Sequence, residues 1–165
     1  MTMFKNTSGR MFVTDPCYEP GTWCTTELVV KKGDWNSEII MTDEGDWGKR
    51  VAELRAYHVD HFNRVRVNDF RRIDVTIGVD SGQVGLFDAA EYEKVYKDGE
   101  EEWYKGICDD TLSKSQTAVR SFGIASSSGY GDGSYNCYVF KNPEGLVVGI
   151  RVVFIDEESE YEEFE

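Results

Sequence analysis

The sequence has no long apolar run, few bases and few cysteines, and each shortage excludes a class of protein. No stretch approaches the ~18 consecutive apolar residues of a membrane-spanning helix. The opening residues, Met1-Thr2-Met3-Phe4-Lys5-Asn6, carry no apolar core of a secretory signal. Lys and Arg number 18 against 31 Asp and Glu, a formal net charge of −13, so the chain as a whole repels nucleic-acid phosphate. Direct nucleic-acid binding and a membrane partner are therefore not expected. The cysteines are Cys17, Cys24, Cys108 and Cys137, too sparse for a disulfide scaffold and without the paired spacing of a structural zinc site. They are expected as reduced thiols in a cytosolic protein, and neither metal nor cofactor is expected. The P-loop and G-x-G-x-x-G phosphate signatures are also missing, as is the spaced oxygen series of an EF-hand.

What is present is a chain of 165 residues, 40% hydrophobic and 13% aromatic, enough for a sizeable core. It reads as one β-rich domain over 1–157 with an acidic, weakly ordered tail at 158–165. Charge is segregated. Lys49 to Arg72 holds seven bases against three acids, Asp88 to Asp110 nine acids against three bases, and Asp156 to Glu165 seven acids and no base. Such runs are either solvated faces or surfaces for a partner of opposite charge.

Strands are expected at Arg10–Asp15, Thr25–Lys32, Glu38–Thr42, Val65–Asp69 and Arg72–Val79, with Gly33–Asn36 as a turn. In the Arg72–Val79 stretch Ile73, Val75, Ile77 and Val79 alternate with Asp74, Thr76 and Gly78. Val51–Val59 fits neither helix nor strand period cleanly. Helix is expected from Asp88, as N-cap, to Tyr96, and again over Glu101–Cys108. Strands then return at Phe122–Ser126, Ser134–Phe140 and Leu146–Ile155, the last two joined by a hairpin at Asn142–Gly145. The pattern is that of an α+β fold: a mainly antiparallel sheet, sandwich-like or curled, with one or two short helices between residues 86 and 115.

Three turn-rich motifs adjoin these strands, and each sets a carboxylate beside a turn-forming residue. They are Asp15-Pro16-Cys17-Tyr18, Val79-Asp80-Ser81-Gly82-Gln83 and Gly129-Tyr130-Gly131-Asp132-Gly133-Ser134-Tyr135. Cys17 could be a nucleophile with His58 or His61 as base, or a small buried hydrophobe. Asp80 and Ser81 could face a ligand, the amides around Gly82 could nest an anion, or the loop could simply bond itself. The 126–135 loop could bring its amides to a phosphate or form a structural hairpin. His58 and His61 make a weak metal pair. The arginines Arg55, Arg64, Arg66, Arg71 and Arg72 could fork onto an anion or onto the chain's own acids.

The three motifs, in that order, resemble a small uncharacterised family of bacteria and bacteriophages. The resemblance implies a bacterial cytosolic setting and a phage accessory role, and it carries no established catalytic residues. Three functions follow, in order of expectation. The first is a non-enzymatic binding protein or inhibitor that covers a basic surface of a host or phage protein with Glu100, Glu101, Glu102, Asp109 and Asp110. The second binds a small anionic ligand such as a nucleotide through Asp15, Cys17, Tyr18, Asp80, Ser81, Gln83, Gly131, Asp132, Ser134, Arg64 and Arg66. The third is a hydrolase built on Cys17 or the Asp15, Asp80 and Asp132 carboxylates.

Overall fold

A computed structural model describes residues 2–61 and 66–156, apart from the side chains at 98 and 100. The proposed tail at 158–165 and the start of the strand expected at Val65 lie outside the described residues.

Eleven strands and two helices run in the order β1 (Thr2–Asn6), β2 (Arg10–Thr14), β3 (Thr25–Val29), β4 (Gly33–Asp43), β5 (Lys49–His58), β6 (Arg71–Val79), β7 (Gln83–Asp88), α1 (Ala89–Asp98), α2 (Glu100–Thr111), β8 (Thr117–Arg120), β9 (Gly123–Ser127), β10 (Gly133–Lys141) and β11 (Val147–Val153). The strands form two antiparallel sheets, ordered β1-β4-β5-β11-β10-β6 and β3-β2-β7-β9-β8. Both helices fall within the acidic middle, so the protein is a β-rich α+β fold.

Side-chain alternation sorts the residues into three layers. Met11 and Val13 of β2, Val84 and Leu86 of β7 and Ile124 of β9 join a core with Trp35, Leu54, Ile77, Ile150 and Val152 of the six-stranded sheet. The opposite face of the five-stranded sheet offers Phe12, Phe87 and Ala125 to Ala89, Tyr92 and Ile107 of the helices. Each large side chain fully buried this way contributes roughly 1.5–3 kcal/mol. The five-stranded sheet is thus covered on both sides, and every residue of β7 is buried. Phe87 reaches its place because Gly85 and Gly123 have no side chain: a Cβ at either would lie within 2.4 Å of the Phe87 ring.

Several local expectations are corrected. Gly33–Asn36 is not a turn but the start of β4, paired through Trp35 to His58. Val67–Asp69 is a short 3₁₀ turn, not strand. The ambiguous Val51–Val59 stretch is strand as far as His58, within β5, and Val59 opens the turn beyond it. Asp88 stands at the N-cap of α1 without bonding its amides. Its carboxylate instead accepts from the Thr7 hydroxyl at 2.8 Å and from the Ser8 hydroxyl. The hairpin at Asn142–Gly145 forms as expected, with Asn142 Oδ1 accepting the Leu146 amide at 2.9 Å.

The alternation read in β6 is broken midway. Asn136 of β10 faces Thr76 and Tyr138 faces Arg72, so Ile73, Asp74 and Val75 bulge opposite Cys137. Val75 is consequently turned to solvent. A bulge on an edge strand bends it and interrupts its pairing.

Candidate functional site

The three motif loops meet, and a buried carboxylate joins two of them. Strand β2 ends at Thr14, before Pro16, which has no amide to continue a ladder. Asp15, fully buried between them, accepts the amides of Asp80 at 2.8 Å and Ser81 at 2.7 Å on Oδ2. Its Oδ1 accepts the Ser81 hydroxyl at 2.6 Å and the Cys17 amide at 2.9 Å. An anion nest therefore exists where the Asp80 loop suggested one, and its anion is the Asp15 carboxylate. Asp15 is a staple across the crossing from β6 to β7, with no exposed surface for a ligand.

The third loop docks on the second. The Gly82 carbonyl accepts the Ser128 amide at 3.0 Å, and a Cβ on Gly82 would sit 3.9 Å from Gly131 Cα. The glycine-rich turn closes on itself: the Gly131 carbonyl accepts the hydroxyls of Ser128 at 2.8 Å and Tyr135 at 2.5 Å. Gly129 and Gly131 take φ of +65° and +109°, which a side chain would strain. Asp132 and Ser134 lie exposed at the rim of this turn.

Beside the Asp15 staple lies a cleft of about 440 Å³. Cys17, Tyr18, Glu19 and Thr22 line one side, and Tyr96 of α1 with Glu101 and Tyr104 of α2 line the other. Two of the three tyrosine hydroxyls are bonded within the protein. Tyr18 donates to Asp80 Oδ2 at 2.6 Å, and this bond raises its pKa to about 12. Tyr96 donates to the Pro16 carbonyl. Desolvation, the largest cause, and the neighbouring Cys108 and Cys17 thiols push the Tyr104 pKa up. Glu19 and Glu101 are exposed, and while the Glu19 carbonyl accepts the Thr22 hydroxyl at 3.0 Å, neither carboxylate has a hydrogen-bond or ion-pair partner among the described residues.

Cys17 is exposed, yet its thiol is pushed up by desolvation, against which the Tyr104 hydrogen bond acts. That opposes thiolate formation. The proposed bases give it no help. His58 is buried, its Nε2 donates to the Lys32 carbonyl at 2.8 Å, and its Nδ1 accepts the Asp60 amide at 3.2 Å. The His61 ring lies 6.1 Å from it. Among the described residues no three metal-ligating side chains converge. Gln83 points inward, donating to Cys108 Sγ at 3.4 Å and accepting the Thr111 hydroxyl at 3.0 Å, and so fastens β7 to α2.

Within the basic strip, Arg55 is tied into an ion-pair cluster around Glu53. Arg55 bonds Glu53 at 2.7 Å and Arg151 bonds the same carboxylate at 2.6 Å. Arg71 donates to the Asn68 and Phe70 carbonyls. Arg66 is exposed, and Arg64 lies outside the described residues. A larger groove of about 720 Å³ between β3 and β6 holds Arg71, Arg72 and Lys141, but also Glu27, Asp69 and Asp74. Its three bases thus face three acids, of which Glu27 is paired with Arg10. On α2, Glu101, Glu102 and Asp109 are exposed, whereas Asp110 pairs with Arg120 at 2.9 Å; the Glu100 side chain is outside the described residues.

The sequence brought forward Cys17, Tyr18 and Glu101 of the cleft but not Glu19, Thr22, Tyr96 or Tyr104. Tyr96 recurs one turn after the core residue Tyr92, and Tyr104 follows the core residue Trp103. That spacing on two amphipathic helices was the available signal.

Residues 4–152 match the family model described as protein of unknown function (DUF4241), and the chain belongs to that family. No curated protein and no solved structure matches it. No helix among the described residues is long and apolar enough to cross a membrane.

Proposed function

We propose that this protein is a non-enzymatic binding protein, of the accessory or inhibitor kind carried by phages, that docks a basic surface of a partner protein in the bacterial cytosol. The contact is the Tyr18–Tyr96–Tyr104 cleft together with the adjoining carboxylates of α2. The observation that carries this reading is the lining of the cleft: three tyrosine rings and the unpaired Glu19 and Glu101, with no base among them. Such a surface repels anions and attracts cations, and the net charge of −13 extends that attraction over about a Debye length, ~8 Å at physiological salt.

The alternatives have less to stand on. An anionic ligand would need free donors, but the nest amides of Asp80 and Ser81 serve Asp15, and Arg55 and Arg151 serve Glu53. A hydrolase would need an activated nucleophile, and Cys17 has its thiol pushed up with no imidazole bonded to it.

The test compares two sets of variants against a fluorescent basic peptide at low and physiological salt. Reversing Glu101, Glu102 and Asp109 to Lys should weaken binding at least tenfold and flatten its salt dependence. Asp132→Ala and Arg66→Ala should change it little. If the second set alone abolishes binding, the α2 face and its cleft are not the contact and this reading fails.

A further inference from the structure

We propose that the cleft takes one arginine side chain of the partner, held with its guanidinium against the tyrosine rings and forked toward Glu19 and Glu101. This rests on the binding reading above and names the group that anchors it.

The argument starts from what the cleft offers. The hydroxyls of Tyr18 and Tyr96 are bonded to Asp80 and to the Pro16 carbonyl. A neutral polar ligand would therefore find few free partners on the walls. An apolar side chain would match the rings but would strip water from two carboxylates and give nothing back. An anion would meet like charge at the rim. A cation satisfies both parts at once, because a ring face attracts positive charge and the carboxylates pair with it.

Arginine suits this arrangement better than lysine. A guanidinium is flat and weakly hydrated, so it can lie on a ring while its N–H groups, in the same plane, reach outward to carboxylates. An ammonium is a compact, strongly hydrated point charge and must give up water to touch a ring.

The fold itself repeats the arrangement. Arg10 lies 5.9 Å from the Phe12 ring centre while bonding Glu27 and Glu93, both at 2.7 Å. Arg120 lies 5.7 Å from the Trp103 ring while bonding Asp110. Arg151 lies between the Phe70 and Tyr138 rings, at 5.6 and 5.4 Å, while bonding Glu53. Each cation set over a ring among the described residues is an arginine. The cleft has the rings and the acids of these sites and lacks the arginine.

Nona-arginine, nona-lysine and nona-citrulline peptides test the anchor, with affinity by calorimetry and the tyrosine ring signals followed by NMR. The first two carry equal charge, and the third keeps the planar shape without it. Nona-arginine should bind at least tenfold more tightly than nona-lysine, shift the ring signals of Tyr18, Tyr96 and Tyr104, and far exceed nona-citrulline. The double variant Glu19→Gln, Glu101→Gln changes two exposed residues and leaves the fold intact. It should lower nona-arginine affinity at least fivefold and reduce its advantage over nona-lysine. Equal binding of the arginine and lysine peptides would overturn the arginine anchor while leaving the basic-partner reading standing. No binding of either would overturn both, as would shifts of these rings by ATP in place of the peptides.

Discussion

At the scale of single residues, Asp15 organises more than any other side chain near the site. Its two oxygens take two amides of the Asp80 loop, one hydroxyl and the Cys17 amide, and Asp15 itself is fully buried. Asp15→Asn keeps the shape but places an NH₂ where donors already point, leaving them unpaired. It should cost about 3 kcal/mol or more in urea unfolding. Asp80→Ala, at an exposed carboxylate bonded only to Tyr18 OH, should cost under ~1 kcal/mol. The Tyr18 hydroxyl gives a pH signature. Its folded pKa is raised to about 12 from 10, chiefly by the hydrogen bond to Asp80. The bond's contribution is therefore complete below pH 10 and fades as pH climbs to about 12. Residue-resolved NMR titration should show the Tyr18 ring titrating late, and Asp80→Ala should bring it back toward 10. If the titration is unchanged in that variant, the bond does not form.

At the scale of elements, two glycines on the faces of strands predict opposite behaviour. A Cβ on Gly123 would stand 2.3 Å from the Leu86 carbonyl oxygen and 3.0 Å from Phe87 Cα, both main-chain atoms of the paired strand β7. Main chain cannot swing aside, so Gly123→Ala should destabilise by roughly 2–3 kcal/mol in urea melts. A Cβ on Gly78 would stand 2.2 Å from the Trp23 ring, but Trp23 is 65% exposed and free to rotate. Gly78→Ala should cost little and report itself as a shift in Trp23 fluorescence. The same contrast in surroundings explains what the sequence disclosed. The α2 and α1 segments were legible from composition, and β10, β11 and their hairpin from alternation and turn residues. Strand β7 was not, because a strand covered on both faces loses the polar beat that marks a half-buried one. The start of β4 was read as a turn from Gly33 and Asp34, yet Gly33 is needed there for a different reason: a Cβ would touch His58 Nε2 at 2.9 Å. Whether the three motif loops meet was not legible in the sequence, since nothing local reveals that Asp15 reaches residues 80 and 81.

At the scale of the whole molecule, thiol reactivity samples both layers of packing. Cys24 and Cys137 are buried, and desolvation raises each to about 12, while Cys17 is exposed. A thiol reagent at neutral pH should modify Cys17 first in the native protein and all four cysteines after denaturation. Fast reaction of Cys137 without denaturant would mean that the core between the sheets is open. Two open-ended sheets also leave four edge strands, β1, β3, β6 and β8, each an invitation to pair with a neighbour. β1, β3 and β8 are short, and β6 carries the Ile73–Val75 bulge beside Arg71, Arg72 and Asp74. The bulge thus acts as a guard against aggregation. A crowded solution offers no straight run of amides on that rim for another chain to extend, and replacing Arg71, Arg72 and Asp74 together with valine should turn a clear concentrated sample turbid.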